Sequence, residues 1–295
     1  MKKKYVFLGE TNSINYELIC KSFTKLRNKV KYVLIGNKSN FQSYLSQKNI
    51  KINLTEIHDP INFSDYDKTA LNFFNVNDCS NIKAENLLNQ IKIANKLSNI
   101  TLYDLITMPI NKHIIKKQIK FNGLTEYFGK LNNKKTFMLM KGENFSVMPL
   151  TTHINPKNVY KIFDKNFNQL IKEMIYNLKI HGFKMIKFLC YCPHCGENST
   201  IGLEDKFLKK IISKYSIISG PYPADSAFQN YNNKTVFIST YHDQALIPFK
   251  ILNKKSINIT LGLNFRRISP AHGTAQDIIG KNLADNSSYI QCMKI

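Results

Sequence analysis

Three histidines hold equivalent places in this sequence. His153 follows the apolar run 145–150, His194 follows 185–191, and His242 follows 234–240. Each run reads as a short buried strand, and open α/β sheets gather ligand groups beyond the carboxyl ends of their strands. Neutral imidazoles suit Zn²⁺ and similar divalent ions, and three of them leave a coordination position open for substrate. Gaps this long carry no ligand signature of their own, and the ordinary role of any one histidine is a hydrogen-bonded loop residue. Together the three read as a metal centre. His58, His113 and His181 lack that placement and read as surface residues. The richest stretch is Tyr241-His-Asp-Gln-Ala-Leu-Ile-Pro-Phe-Lys250. Lys250 and Asp243 are both candidates to move a proton, with ion pairing as the simpler role of each. Beyond them come Asn258-Ile-Thr-Leu-Gly262, Arg266-Arg267 and His272-Gly-Thr-Ala275. Polar groups this dense between apolar runs point to an active site.

The elements that must carry these residues alternate. Residues 4–9 and 31–36 read as strands around a helix at 12–26, a βαβ opening. Residues 37–82 are weakly patterned. A helical face runs through Leu87, Leu88, Ile91 and Ala94, and 102–108 is an apolar strand. Residues 136–140 and 145–150 flank Lys141-Gly-Glu-Asn144 as a hairpin. The spacing predicts an amphipathic helix over 161–180, a strand over 185–191 and a helix over 207–218 ended by Ser219-Gly-Pro-Tyr-Pro223. A strand follows at 257–263, then a short helix at 275–279 closed by Gly280. The class is α/β, with one hairpin that a purely parallel sheet would not need.

With 295 residues, the chain has room for two domains or one large one, and 43% hydrophobic residues indicate a globular protein. The apolar part of Met1-Lys-Lys-Lys-Tyr-Val-Phe-Leu-Gly9 is too short for a signal peptide and reads as a first strand, which suggests a cytoplasmic protein with no membrane span. The net charge of +22 does not indicate nucleic acid. Lysine supplies nearly all of it, scattered and without aromatic interleaving, as general compositional drift would produce. Such a field suits anionic, phosphorylated substrates. Arginine occurs only at 27, 266 and 267, so the adjacent pair in the suspected site stands out as a fork for carboxylate or phosphate. Cys190-Tyr-Cys-Pro-His-Cys195 resembles a thiol-oxidant motif. Without an export signal or a second Cys pair, these read as ordinary strand and loop residues around His194.

Taken together, Tyr241-His-Asp-Gln244, Gly220-Pro-Tyr-Pro-Ala-Asp225, Asn258-Ile-Thr-Leu-Gly262, Thr151-Thr-His153, Pro193-His194 with Gly196-Glu197, and Pro109-Ile-Asn-Lys112 resemble the motifs of the 4-hydroxythreonine-4-phosphate dehydrogenase family, in that family's order. The resemblance covers about 102–288. It implies a two-lobed fold of the isocitrate and isopropylmalate dehydrogenase kind, with 1–122 completed by 245–295 as one lobe. Residues 123–244 would form the other, carrying the metal ligands and dimer contacts. It implies a divalent metal (Zn, Mg or Co) on His153, His194 and His242 at a homodimer interface, and substrate contacts from Thr125, Lys250, Asn258 and Arg267. It also implies NAD or NADP held by Asp225 and by a loop of His272, Gly273, Thr274, Ala275 and Asp277. The implied reaction oxidises 4-phosphooxy-L-threonine at its hydroxyl carbon, after which the 3-oxo acid loses CO₂, a step in pyridoxine 5'-phosphate synthesis.

Several positions depart from the family pattern. Leu124 stands for a substrate-contacting His, Cys192 for Asn and Ala271 for Asp. The N-terminal glycine-rich motif survives only as Gly9-Glu-Thr-Asn-Ser-Ile-Asn-Tyr-Glu17. Leucine donates no hydrogen bond, so a dehydrogenase of threonate or erythronate 4-phosphate is a second reading. A non-catalytic binding protein on the same fold is a third, for which the altered N-terminal motif is the best support.

Overall fold

The computed structural model describes residues 2–295 and divides into two compact units, Met1–Lys135 with Leu263–Ile295, and Thr136–Gly262. The first unit opens with β1 (Lys3–Phe7), α1 (Asn15–Leu26), β2 (Lys31–Gly36) and α2 (Lys38–Gln47). It continues through β3 (Leu54–Glu56), β4 (Leu71–Asn75), α3 (Lys83–Thr101), β5 (Asp104–Thr107), α4 (Lys112–Lys116) and α5 (Leu124–Leu131). The second unit holds β6 (Phe137–Gly142), β7 (Ser146–Pro149), α6 (Phe167–Ile180), β8 (Met185–Leu189), α7 (Glu204–Ile212) and β9 (Ile218–Tyr222), followed by β10 (Thr235–Ser239), α8 (His242–Leu252) and β11 (Ser256–Leu261). The chain then returns to the first unit for β12 (Arg267–Pro270) and α9 (Ser287–Lys294).

In the first unit the strands run β3-β4-β2-β1-β5-β12, every pair parallel. Parallel strands are covered on both faces, so they read as continuous apolar runs such as Tyr-Val-Phe and Val-Leu-Ile. Tyr5, Phe7, Val33, Ile35, Leu105, Ile91 and Phe128 belong to one buried cluster. Phe128 lies on α5, so this helix is part of the first unit's core. That is why the unit extends to Lys135, where an end at 122 was expected. The second unit runs β11-β6-β7-β10-β8-β9. Here β6 pairs antiparallel with both β7 and β11, as the expected hairpin requires, while β7, β10, β8 and β9 are parallel. Because β11 pairs with β6 along its whole length, α8 and β11 stay with the second unit, and the return to the first comes at Leu263 instead of 245.

Other expectations shift for local reasons. The weakly patterned stretch hides α2, β3 and β4. Only Phe41 and Leu45 of α2 are buried, and β3 is half-exposed at a sheet edge, so neither writes a strong period. The helix expected over 161–180 begins at Phe167, because Asp164 accepts the Asn166 N–H at 2.8 Å and forms a separate turn. Ser219-Gly-Pro-Tyr lies within an edge strand, where proline is tolerated. Gly280 closes its short turn at φ +75°, as expected.

The altered N-terminal motif forms a turn tied together by side-chain hydrogen bonds. The Asn15 side-chain amide donates to the carbonyls of Leu8, Glu10 and Pro109 at 2.9–3.2 Å. Gly9 sits at φ +73°, and a Cβ there would lie 2.5 Å from the Pro109 carbonyl oxygen. One glycine is kept where the backbone leaves no room, and an asparagine amide ties together what the other glycines no longer shape. The motif is rebuilt, which removes the main support for a decayed protein.

Candidate active site

The three expected metal ligands all belong to the second unit and leave three neighbouring parallel strands, β7, β10 and β8. Their loops are tied to one another. The Thr151 hydroxyl, buried, donates to the Thr240 carbonyl at 2.5 Å, joining the His153 and His242 segments. Gln244 donates to the Cys190 carbonyl at 2.9 Å, and the rings of Tyr191 and Tyr241 stack at 5.2 Å, joining the His194 and His242 segments. His153 and His242 face each other with ring centroids 6.3 Å apart. His194 does not complete the set: among the described residues, no three of His, Cys, Asp or Glu are arranged to hold a metal ion.

The donor chemistry nevertheless fits a cation. His242 Nδ1 lies 2.7 Å from Asp243, and His194 Nδ1 lies 3.1 Å from Glu197. A carboxylate on Nδ1 fixes the tautomer that leaves the Nε2 lone pair free for a ligand. Asp243, expected as a proton carrier, is thereby the partner of His242. Asp225, expected at the cofactor, lies 3.9 Å from His194 Nε2. The turn that carries His194 is anchored by the buried Asp205, whose carboxylate accepts the N–H groups of Tyr191 and Cys192 at 2.6 and 2.8 Å. From His194 to Ser199 every residue has positive φ. For residues other than glycine this costs roughly 1–2 kcal/mol each, and such strain collects at functional sites. Burial pushes the Cys192 thiol up to about 11 and the Cys195 thiol up to about 12. All six cysteines are free, and neither of these two is an activated nucleophile.

Of the expected substrate residues in this unit, Lys250 extends from α8, exposed, and forms no ion pair or side-chain hydrogen bond among the described residues. Asn258, on β11, keeps a buried carboxamide oxygen without a partner. Ile247 and Ile251, four residues apart on α8, are 60% and 74% exposed. Their helix also carries His242 and Lys250.

In the first unit the adjacent arginines separate. Successive strand residues point to opposite faces, and only Arg267 meets the expected substrate residue Thr125. Arg267 is 2% exposed. Its Nε donates to Thr107 Oγ1 at 2.9 Å and its Nη1 to Thr125 Oγ1 at 3.4 Å, and its guanidinium lies 5.6 Å from the Phe128 ring centre. Burial pulls its pKa down to about 10, opposed by the Glu126 carboxylate, so it remains a cation at neutral pH. Burial also lowers the pKa of Lys112, again against Glu126. Thr107, Lys112 and Glu126 are thus neighbours of the site that sequence reasoning did not single out. Lys112 closes a motif noted for another reason and Glu126 lies two residues from Leu124, while Thr107 merely ends a strand. Arg266 instead grips Asp104 with two bonds, at 2.8 and 2.7 Å, beside the buried Lys4 ammonium at 3.1 Å. It ties strands together and is not a ligand fork.

The expected adenosine loop also lies in the first unit. His272 Nδ1 is 2.9 Å from the Gly273 carbonyl, its buried Nε2 has no partner, and burial lowers its pKa. A Cβ at Gly273 would meet nothing within 4 Å, so that backbone is open to a ligand. The Thr274 carbonyl accepts the Ile14 N–H at 3.2 Å, Ala275 adopts φ +46°, and Asp277 is exposed.

Comparison with known proteins gives one consistent answer. The family model described as pyridoxal phosphate biosynthetic protein PdxA matches residues 28–295. The chain is 31% identical to the 4-hydroxythreonine-4-phosphate dehydrogenase of Sulfurihydrogenibium sp. (strain YO3AOP1) and 32% identical to that of Aquifex aeolicus (strain VF5), in each case over 100% of this chain and 97% of the relative. The crystal structure of 4-hydroxythreonine-4-phosphate dehydrogenase from Klebsiella pneumoniae superposes with a TM-score of 0.80 at 24% identity, covering 100% of this chain and 98% of that one, and so shares its fold. By these matches the chain belongs to the PdxA family of pyridoxal phosphate biosynthetic proteins.

Proposed function

We propose that this protein is an NAD- or NADP-dependent dehydrogenase that oxidises 4-phosphooxy-L-threonine to 2-amino-3-oxo-4-phosphooxybutanoate, which decarboxylates to 3-amino-2-oxopropyl phosphate in the synthesis of pyridoxine 5'-phosphate. The observation that carries the reading is the trio of imidazole-bearing loops at the ends of β7, β8 and β10 in a member of this family. His153, His194 and His242 would hold a divalent ion shared across the homodimer, since within one chain only His153 and His242 face each other, and imidazole donors favour zinc or cobalt over magnesium. When bound, that ion supplies Lewis-acid stabilisation of negative charge on the substrate oxygen. Asp243 and Glu197 keep His242 and His194 in the ligating tautomer.

Arg267 meets the substrate phosphate or carboxylate, oriented by Thr107 and Thr125 and balanced by Glu126. Asn258 uses its unfilled carboxamide oxygen on a substrate donor. Lys250 moves the proton, because Asp243 is already engaged by His242 and Lys250 has no carboxylate of its own. The cofactor lies along His272, Gly273, Thr274, Ala275 and Asp277, where the open backbone at Gly273 and the partnerless His272 Nε2 await a ligand. The protein works as a homodimer in the cytoplasm. Ile247 and Ile251 give α8 an apolar face to bury in a second copy, next to the proposed metal and proton-transfer residues. No helix among the described residues is long and apolar enough to cross a membrane.

Leu124 favours a second reading, in which the substrate is threonate or erythronate 4-phosphate. This side chain packs against the first unit's apolar cluster, where a histidine would offer a donor. Purified protein given NAD or NADP, a divalent metal and each phosphorylated acid in turn decides the matter. Reduced nicotinamide forming fastest with 4-phosphooxy-L-threonine supports the first reading. Turnover of only the threonate or erythronate ester establishes the second, and no turnover with any of them defeats both.

A further inference from the structure

β12 ends at Pro270, and from Ala271 the chain leaves the sheet to form the loop assigned to the cofactor. A free loop loses conformational entropy when it closes on a ligand, which weakens binding. Two contacts hold this loop beforehand. The Ala271 N–H donates to the Ser288 hydroxyl oxygen at 3.0 Å, and the Thr274 carbonyl accepts the Ile14 N–H at 3.2 Å. They bracket His272 and Gly273, the residues with a partnerless Nε2 and an uncovered backbone. Ala271 cannot fasten the loop through its own side chain, at a position where the family pattern has an aspartate.

Ser288 is itself fixed from α1. It lies in the first turn of α9, and the turn leading into that helix is pinned by a buried ion pair. Glu17, the last residue of the altered N-terminal motif, is buried and accepts the Ala284 N–H at 3.0 Å. Lys21 pairs with Glu17 at 2.8 Å and donates to the carbonyls of Asn282 and Ala284 at 2.8 and 3.2 Å. Asp285 then accepts the Ser287 N–H at 2.9 Å, which sets the entry of α9. Helix α1 therefore reaches the cofactor loop twice. Ile14, at its N-cap, bonds the loop directly, and Glu17 with Lys21 acts through α9 and Ser288. All of these residues belong to the first unit.

We infer that Ser288 is a positioning residue for cofactor binding, held in place by Glu17 and Lys21. It fixes the main chain at Ala271, so that His272 and Gly273 are already arranged when the dinucleotide arrives. The inference rests on the cofactor reading above. The test compares full-length wild type with Ser288→Ala, Ser288→Thr and Lys21→Gln, by calorimetric titration with NAD and with NADP and by steady-state rates at varied dinucleotide. Ser288→Ala removes the acceptor of one hydrogen bond, so Kd and KM for the dinucleotide should rise about two- to twelvefold, with kcat at saturating dinucleotide unchanged. Ser288→Thr keeps the oxygen and should restore the wild-type values. Lys21→Gln releases Asn282 and Ala284 from a half-exposed position and should shift affinity in the same direction, so it carries the test if Ser288→Ala does not fold. Wild-type protein that binds neither NAD nor NADP defeats the cofactor reading and this inference with it. Wild-type binding with unchanged affinity in Ser288→Ala, a threonine no better than alanine, or a fall in kcat at constant KM overturns the inference alone.

Discussion

Arg266 and Arg267 are neighbours in sequence, and their lysine variants should fail in different ways. Arg267 is buried, with Nε on Thr107 at 2.9 Å and Nη1 toward Thr125 at 3.4 Å, which sets its planar fork in one orientation. Arg267→Lys keeps the positive charge that faces Glu126, so the buried carboxylate is not abandoned. The fork is lost, and an ammonium cannot reproduce it. A charge-assisted hydrogen bond contributes about 1.5–3 kcal/mol, so the KM for the phosphorylated substrate should rise about 10- to 150-fold. Arg266→Lys removes one bond of a two-bond grip on Asp104, which Lys4 continues to hold. Because Arg266 is part-exposed, about 1 kcal/mol of stability should be lost, lowering Tm by about 2–4 °C, with KM unchanged. Steady-state rates from reduced-nicotinamide absorbance, alongside thermal melts, separate the two. A KM for Arg267→Lys within twofold of wild type, or an equal rise for Arg266→Lys, would refute the division of roles drawn from β12.

Replacing His153 or His242 by Ala should abolish stoichiometric zinc retention, measured by atomic emission after gel filtration, whereas His58→Ala should leave it intact. Ile247→Asp combined with Ile251→Asp should convert a dimer to a monomer in sedimentation velocity, with activity falling in parallel; a dimer that survives the change would place the interface elsewhere. His272 has a folded pKa below its ordinary 6.5, because burial disfavours its charged form. The unfolded chain therefore binds the extra proton first, and stability should decline as pH falls below about 6.5 until the folded pKa is passed. Urea melts of His272→Asn should lack that part of the acid-side slope, and an unaltered slope would discount the burial. Asp205→Asn should weaken the anchor of the His194 turn, lowering zinc affinity roughly 10-fold while the far-ultraviolet circular dichroism stays constant.

Much of this protein is written locally. Apolar runs at 4–9, 31–36, 185–191 and 234–240 are long enough to be strands whatever surrounds them, and three of the four histidines read as site residues stand directly after such runs. Amphipathic spacing located α3 and most of α6. The hairpin at 141–144 follows from two β-forming runs around a glycine. These features depend on periods of a few residues, which a linear chain displays in full.

What the chain does not display is who stands beside whom. Nothing in the sequence says that β10 lies between β7 and β8, and that order makes neighbours of the loops bearing His153, His194 and His242. Nothing local distinguishes Arg266 from Arg267; the registers of β12 and β5 hand one to Asp104 and the other to Thr107. Asp243 looked like a proton carrier until its contact with His242 was known. Partnership and burial are set by residues tens to hundreds of positions away, so only the folded chain decides them.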